Sequence, residues 1–277
     1  MSLTSFLEEI PDVRERFQQE FKKPKLVAKR ELIAPPLTTN YSLVGTAFDY
    51  LFRFYLQHLN PNTVARDYWV ADIAVERLAH GHDSGLYVKS KAIVATARKN
   101  LDSYLLSGKI EEGLIISALR LATLDPIARA GRGHEMVGLA DKGDGQDLKN
   151  LISAIDSNLF ASKNLCLLNP TFGLASELVG GADADLVIDD TIIDIETTKN
   201  LTLDRRAFNQ VLGYYILHQI SGVSGLSPKP TITKIAIYFP RFGYLHVMPI
   251  SELINPSSFP EFVQWFQGRS TEIFSEC

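Results

Sequence analysis

Apolar positions recur three and four residues apart through the first half of the chain, and gather into short dense runs in the second. Phe6, Leu7, Ile10 and Val13 stand among charges and predict helix at the start of residues 1–30. That stretch ends in Lys22, Lys23, Lys25, Lys29 and Arg30, and Pro35-Pro36 then breaks the chain. Leu43, Ala47, Tyr50, Leu51 and Phe54 predict an amphipathic helix over 42–58, closed by Asn60-Pro61-Asn62. Mixed apolar and charged periodicity predicts further helices over 63–80, 86–107, 109–123 and 146–159. His80-Gly81-His82-Asp83 and the glycine-rich run 131–145 interrupt them.

Beyond Leu159 the period shortens. Residues 165–168, 174–179, 184–188 and 192–197 read as successive short strands, and 204–220 as a helix. After a Gly/Ser/Pro linker at 221–230, the run 231–239 predicts a buried strand. Residues 244–248 are expected to pair with it across Arg241-Phe242-Gly243, and a last helix is expected near 260–266. Helices first, then a mixed sheet, describe an α/β or α+β fold. The expected division is an N-terminal helical and basic segment at 1–40 and one domain over 41–277. Within that domain a helical insertion spans about 63–160 and a sheet core about 161–250.

Composition changes this picture little. Apolar content of 45% and charged content of 22% fit an ordinary folded chain, and 277 residues supply ample core. A formal charge of −4 argues against a wholesale basic coat for nucleic acid, though not against local basic surface. Two cysteines, Cys166 and Cys277, exclude four-cysteine metal sites and a disulfide framework. With no signal-peptide pattern and no apolar run near the roughly 20 residues that span a bilayer, the expectation is a cytoplasmic protein without a membrane partner.

Candidate chemistry concentrates in residues 180–199, GGADADLVIDDTIIDIETTK. As a β-hairpin this segment sends Asp183 and Asp185 to one face of its first strand, because side chains alternate with period two. The turn falls near Asp189-Asp190-Thr191, whose acids read as solvated, and the second strand sends Asp194 and Glu196 to a common face. Unpaired, these carboxylates repel and raise at least one pKa; a hard divalent cation such as Mg²⁺ resolves the repulsion. Two further segments join this one: Gly45-Thr46-Ala47-Phe48-Asp49 on the early helix, and Gln210-Val211-Leu212-Gly213-Tyr214 on the helix after the hairpin. Gln210 and Tyr214, four apart, share a helix face.

In the order and setting of these three segments the chain resembles the RecB-like branch of the PD-(D/E)XK nuclease superfamily. The resemblance covers residues 42–55 and 177–247 and implies a restriction-endonuclease-like core carrying a large helical insertion. Asp49 stands where many members carry histidine, and Glu196 where the family's lysine belongs; some active restriction enzymes of the superfamily also have glutamate there. The resemblance also allows Lys199 a catalytic part, reaching in from the strand's end as migrated lysines do elsewhere in the superfamily, but its odd spacing from Glu196 points it to the opposite face unless the strand bends.

The resemblance implies metal-assisted phosphodiester hydrolysis, most naturally of DNA. Asp185 and Asp194, with the backbone carbonyl of Ile195, are then the expected ligands of Mg²⁺ or Mn²⁺, completed or oriented by Asp49. Glu196 is expected to accept a proton or to help hold a second ion. Gln210 and Tyr214 are expected to brace the site, with Lys199, Arg205 and Arg206 meeting phosphates. The alternatives are a silent nuclease fold that binds nucleic acid or a protein, a metal-binding regulatory domain, and, for Asp49 itself, a plain i,i+4 pair with Arg53. Elsewhere, His80-x-His82 lacks a third ligand and reads as a loop. The Gly131-Arg132-Gly133-His134 turn lacks a phosphate-loop ending, and Ser153 and Ser176 sit in no nucleophile elbow.

Overall fold

A computed structural model describes residues 2–81 and 83–275. His82 and Cys277, both weighed above, lie outside the described residues. The chain opens with α1 (Leu3–Glu9) and α2 (Pro11–Glu20), separated by the Ile10-Pro11 step that a single helix could not cross. Then come α3 (Tyr41–Leu59), β1 (Thr63–Val64), α4 (Val70–Ala79), α5 (Ser84–Ser107), α6 (Glu112–Ala122), α7 (Asp125–Ala130) and α8 (Lys142–Ser153). The second half holds β2 (Cys166–Leu168), α9 (Leu174–Glu177), β3 (Leu186–Ile188), β4 (Thr191–Ile195) and α10 (Arg205–Ser221). β5 (Lys234–Phe239), β6 (Tyr244–Pro249), α11 (Ile250–Leu253) and α12 (Phe259–Ser275) complete it.

The six strands form one mixed sheet in sequence order. β1 runs parallel to β2, β2–β3–β4 form an antiparallel meander, α10 carries the chain over to β5 parallel to β4, and β6 returns antiparallel. Alternation gives the sheet two apolar faces. Leu186, Ile188, Ile193, Ala236 and Tyr238 pack with α3 and the helices that follow it. Val187, Ile192, Ile235, Ile237 and Phe239 pack with α1, α2, α10 and α12. The result is three layers, helices on both sides of a mixed sheet, a mixed α and β fold as expected.

The N-terminal helices belong to the second of these layers. Phe6, Phe17 and Phe21 interlock edge-on with Phe262 and Phe266 of α12, and Leu3 and Leu7 press on Gly213 of α10. On the opposite face, Arg241 of the β5–β6 turn forms a fully enclosed pair with Asp147 of α8 at 2.8 Å. Asp147 also accepts the Leu37 amide, and Arg241 donates to the Ala34 carbonyl. This network ties the helical layer to the far end of the sheet.

Several expectations differ, among them the helix over 146–159, which stands at Lys142–Ser153. Residues 174–179 form the short helix α9 rather than a strand: Gly173 at φ 54° turns the chain, and the Ser176 hydroxyl bonds back to the Phe172 amide. Within 63–80 only α4 is helical; Thr63 and Val64 pair with β2, and Asp72 fixes the helix start by accepting the Trp69 amide at 2.6 Å. The turn acids are also more than solvated. The Asp189 carboxylate accepts the amides of Lys163, Asn164 and Leu165, and Asp190 bonds Thr233 and pairs with Lys234 at 3.1 Å. Each of these acids is held below the ordinary aspartate pKa, because its partners outweigh a slight burial. Among the described residues no helix is long and apolar enough to cross a membrane.

Candidate active site

The hairpin closes through a two-residue loop, Asp189-Asp190, with Ile188 opposite Thr191 and Leu186 opposite Ile193. Extending that register by one residue sets Asp185 opposite Asp194, both on the face that carries α10. The Ile195 amide donates to the Asp185 carboxylate at 2.7 Å, and the two carboxyls hydrogen-bond to each other. Asp194 is 3% exposed. Gln210 Nε2 donates to Asp194 Oδ1 at 3.2 Å and to the Tyr214 hydroxyl at 2.9 Å. The Thr4 hydroxyl of α1 donates to Gln210 Oε1 at 3.0 Å, which fixes the amide's orientation. The Asp204 side chain caps α10 by accepting the Ala207 amide, and so places Gln210 one turn and a half into the helix, beneath β4.

Asp49 comes from the other layer. It projects from α3, whose apolar face is buried against the sheet, and its Oδ2 pairs with Arg53 at 2.5 Å. Its Oδ1 is enclosed and, among the described residues, has no hydrogen-bond partner. The Arg53 side chain is 12% exposed, bonds Asn169, and lies over the Tyr50 ring at 4.9 Å. Asp49 therefore makes the i,i+4 pair with Arg53, and it also stands near enough to Asp185 and Asp194 for its charge to act on both.

Burial and mutual repulsion set the charge state. Burial raises Asp194, Glu196 adds to the rise, and the Gln210 hydrogen bond only partly offsets it, leaving a pKa of about 8. Asp185 is raised well above the carboxylate range by burial and then by Asp194 and Asp49. Asp49 is raised by burial, against the opposing pull of Arg53. Glu196, half-buried, is raised by burial and Asp204 against Arg206. Tyr214, buried beside Asp194 and Asp185, stays neutral. At neutral pH the Asp185–Asp194 pair thus retains a proton.

A cleft of about 840 Å³ opens over these groups, lined by Asp49, Asp185, Ile195, Glu196 and, on its far wall, Arg129 and Arg132. Lys199 is exposed and lies over Tyr41 at 5.5 Å, at the cleft rim; among the described residues it makes no ion pair with the acids. Arg206 pairs loosely with Glu8 at 3.8 Å, and Arg205 donates to the Phe21 carbonyl, so the latter is turned away from the cleft.

Among the described residues no three His, Cys, Asp or Glu side chains stand close enough to cage an ion. Magnesium, however, is ordinarily held through one or two carboxylates and retained waters. Paired Asp185 and Asp194, all-oxygen donors, and the orphaned Asp49 Oδ1 fit that mode. Sequence reasoning gave no functional part to Arg53, and missed Arg129, Asn169 and Thr4. Arg53 was visible only as an i,i+4 partner, and Thr4 lies 206 residues from Gln210 with no local signal. Compared with protein-family models, characterised proteins and solved structures, the chain matches none of them.

Proposed function

We propose that this chain is a metal-dependent nuclease, built on a PD-(D/E)XK-type core and acting on DNA. One observation carries the reading. Asp185 and Asp194 meet across a hairpin while the Gln210–Tyr214 face of the next helix bonds to Asp194, with Asp49 brought in from the opposite layer. That is the spatial counterpart of the motif order in the sequence. A Mg²⁺ or Mn²⁺ ion held by Asp185, Asp194 and the Ile195 carbonyl would polarise a phosphate and acidify a bound water.

The chain's own residues have separable parts. Gln210, locked by Thr4, aims Asp194, and Tyr214 closes the buried side of the site to water. Glu196, on the cleft wall, accepts a proton. Arg129, Arg132 and Lys199 offer positive charge to a phosphate chain crossing the cleft. A reducing cytoplasmic setting goes with the free, buried Cys166. Single- and double-stranded DNA incubated with the protein and Mn²⁺ should be cut by the native chain and not by Asp194→Ala. Equal residual cutting by both counts against the reading. Calorimetric titration of Mn²⁺ gives a second readout, with binding expected for the native chain and weakened in the variant.

A second reading, a nucleic-acid-binding fold without hydrolysis, is favoured by Glu196 in the lysine position and by the lack of a three-acid cage among the described residues. DNA binding without any metal-dependent cleavage would select it.

A further inference from the structure

Beside the carboxylates lies a second, smaller cavity of about 220 Å³. Arg129 lines both this cavity and the large cleft, so the two are neighbours on either side of that side chain. Arg53, Asn169 and Asp183 form its inner wall, and Arg66 and Tyr68, from the segment between β1 and α4, form its outer wall. One terminal nitrogen of Arg66, Nη2, is enclosed and, among the described residues, has no hydrogen-bond partner, so it is turned away from the cavity surface. Arg66 lines the cavity with its remaining, half-buried surface and among the described residues pairs with no acid, which leaves its charge for an anionic oxygen. Arg53 cannot serve the same end, because Asp49 and Asn169 already engage it.

The aromatic groups are divided in the same way. Trp69 also lines the cavity, but Arg98 covers its ring at 4.4 Å and Tyr50 meets it edge-on. Tyr68 is 54% exposed and among the described residues stacks on no other ring or cation. An exposed tyrosine ring next to an arginine that has no acidic partner among the described residues is a surface for a planar base joined to a phosphate. The cavity has room for one nucleobase and not for a stacked pair. Asp183 repels a phosphate at the inner end, which leaves the Arg66 end as the anion's place.

Building on the nuclease reading, we infer that this cavity is a subsite for one unpaired nucleotide beside the cleaved position, its phosphate on Arg66 and its base against Tyr68. The substrate class that follows is nucleic acid with a single-stranded stretch, such as a frayed end or overhang, because a base held in a paired stack cannot enter.

The test separates binding from cutting. In EDTA, fluorescence anisotropy compares a short labelled oligothymidine with a blunt duplex of equal length, for the native chain and for Arg66→Gln, Tyr68→Ala and Asp194→Asn. The single strand should bind the native chain at least about tenfold more tightly than the duplex, and Arg66→Gln and Tyr68→Ala should each weaken it about tenfold while leaving the duplex unchanged. Thermal melts should show both variants cooperatively folded, with Tyr68→Ala close to the native chain because Tyr68 is on the surface. Asp194→Asn should keep single-strand binding and, with Mn²⁺, lose cutting. Unchanged single-strand affinity in folded Arg66→Gln and Tyr68→Ala, or equal affinity for duplex, overturns the subsite whatever the cleavage result. Full cutting by Asp194→Asn overturns the nuclease reading and leaves the subsite standing.

Discussion

Replacing Asp194 with asparagine removes a charge that the fold can barely accommodate. The isolated carboxyl titrates near 3.8, and in the folded chain near 8, so folding at pH 7 must either protonate it or bury it charged. The difference between pH 7 and 3.8 corresponds to at most about 4 kcal/mol at about 1.4 kcal/mol per pH unit. Asp185 shares the proton, so about 2 kcal/mol of this is expected to return when Asp194 alone is neutralised. Asparagine can keep the existing bonds: its Oδ1 still accepts from Gln210, and its amide can donate to Asp185 where the shared proton stood. The sign is opposite to that of a salt-bridged acid. A raised folded pKa gives stability that is complete below pH 3.8 and is lost as pH rises through about 8.

The assay is urea unfolding in EDTA at pH 5, 7 and 9. The native chain should lose stability across that window relative to Asp194→Asn, and the variant should melt about 4–8 °C higher at pH 7. Parallel pH profiles for the two proteins, or a less stable variant at pH 9, would refute the claim that these acids are mutually strained. That claim underlies the metal proposal, because a cation would relieve such a pair.

Three further outcomes follow from the same physics. Saturating Mn²⁺ should raise the melting temperature by about 5–10 °C, and more at pH 8 than at pH 6, because the ion must displace the shared proton; Asp194→Asn should respond much less, and a pH-independent shift would count against this site. Asp147→Ala strands the enclosed Arg241 guanidinium and should cost about 3–5 kcal/mol in denaturant unfolding, largely recovered in the Asp147→Ala/Arg241→Met double variant. His218, 1% exposed, is pushed down to about 4 by burial and by Lys229, so its share of stability is whole above pH 6.5 and falls by about 2 kcal/mol towards pH 4.5; His218→Gln should flatten that part of the profile.

What the sequence disclosed follows how local the cause was. The α3 stripe, the hairpin alternation and the β5–β6 pairing rest on period and turn chemistry within a few residues, and they stand close to where expected. The 174–179 run has strand-like composition, but Gly173 and the Ser176 hydroxyl turn it into a helix, a contest that apolar pattern cannot reveal. The unlocalised parts of the site are those set by distant contacts. Nothing near Gln210 indicates that Thr4 orients it, and nothing near Asp49 indicates that Asn169 engages its arginine.

The charge balance of the site argues for a particular division of labour. Around Asp185 and Asp194 the described residues supply an enclosed cation, Arg53, and that cation is already committed to Asp49 at 2.5 Å. Arg53 lowers the pKa of both Asp49 and Asp185, yet each remains raised. Glu196 then adds negative charge at the position where the resembled family places lysine. Were the cluster merely structural, replacing either central acid by an amide would serve the fold better, since every existing bond to Asp194 can be kept without its charge. The metal proposal accounts for this arrangement: a cation arriving from outside would offset the repulsion that burial and proximity impose on these acids.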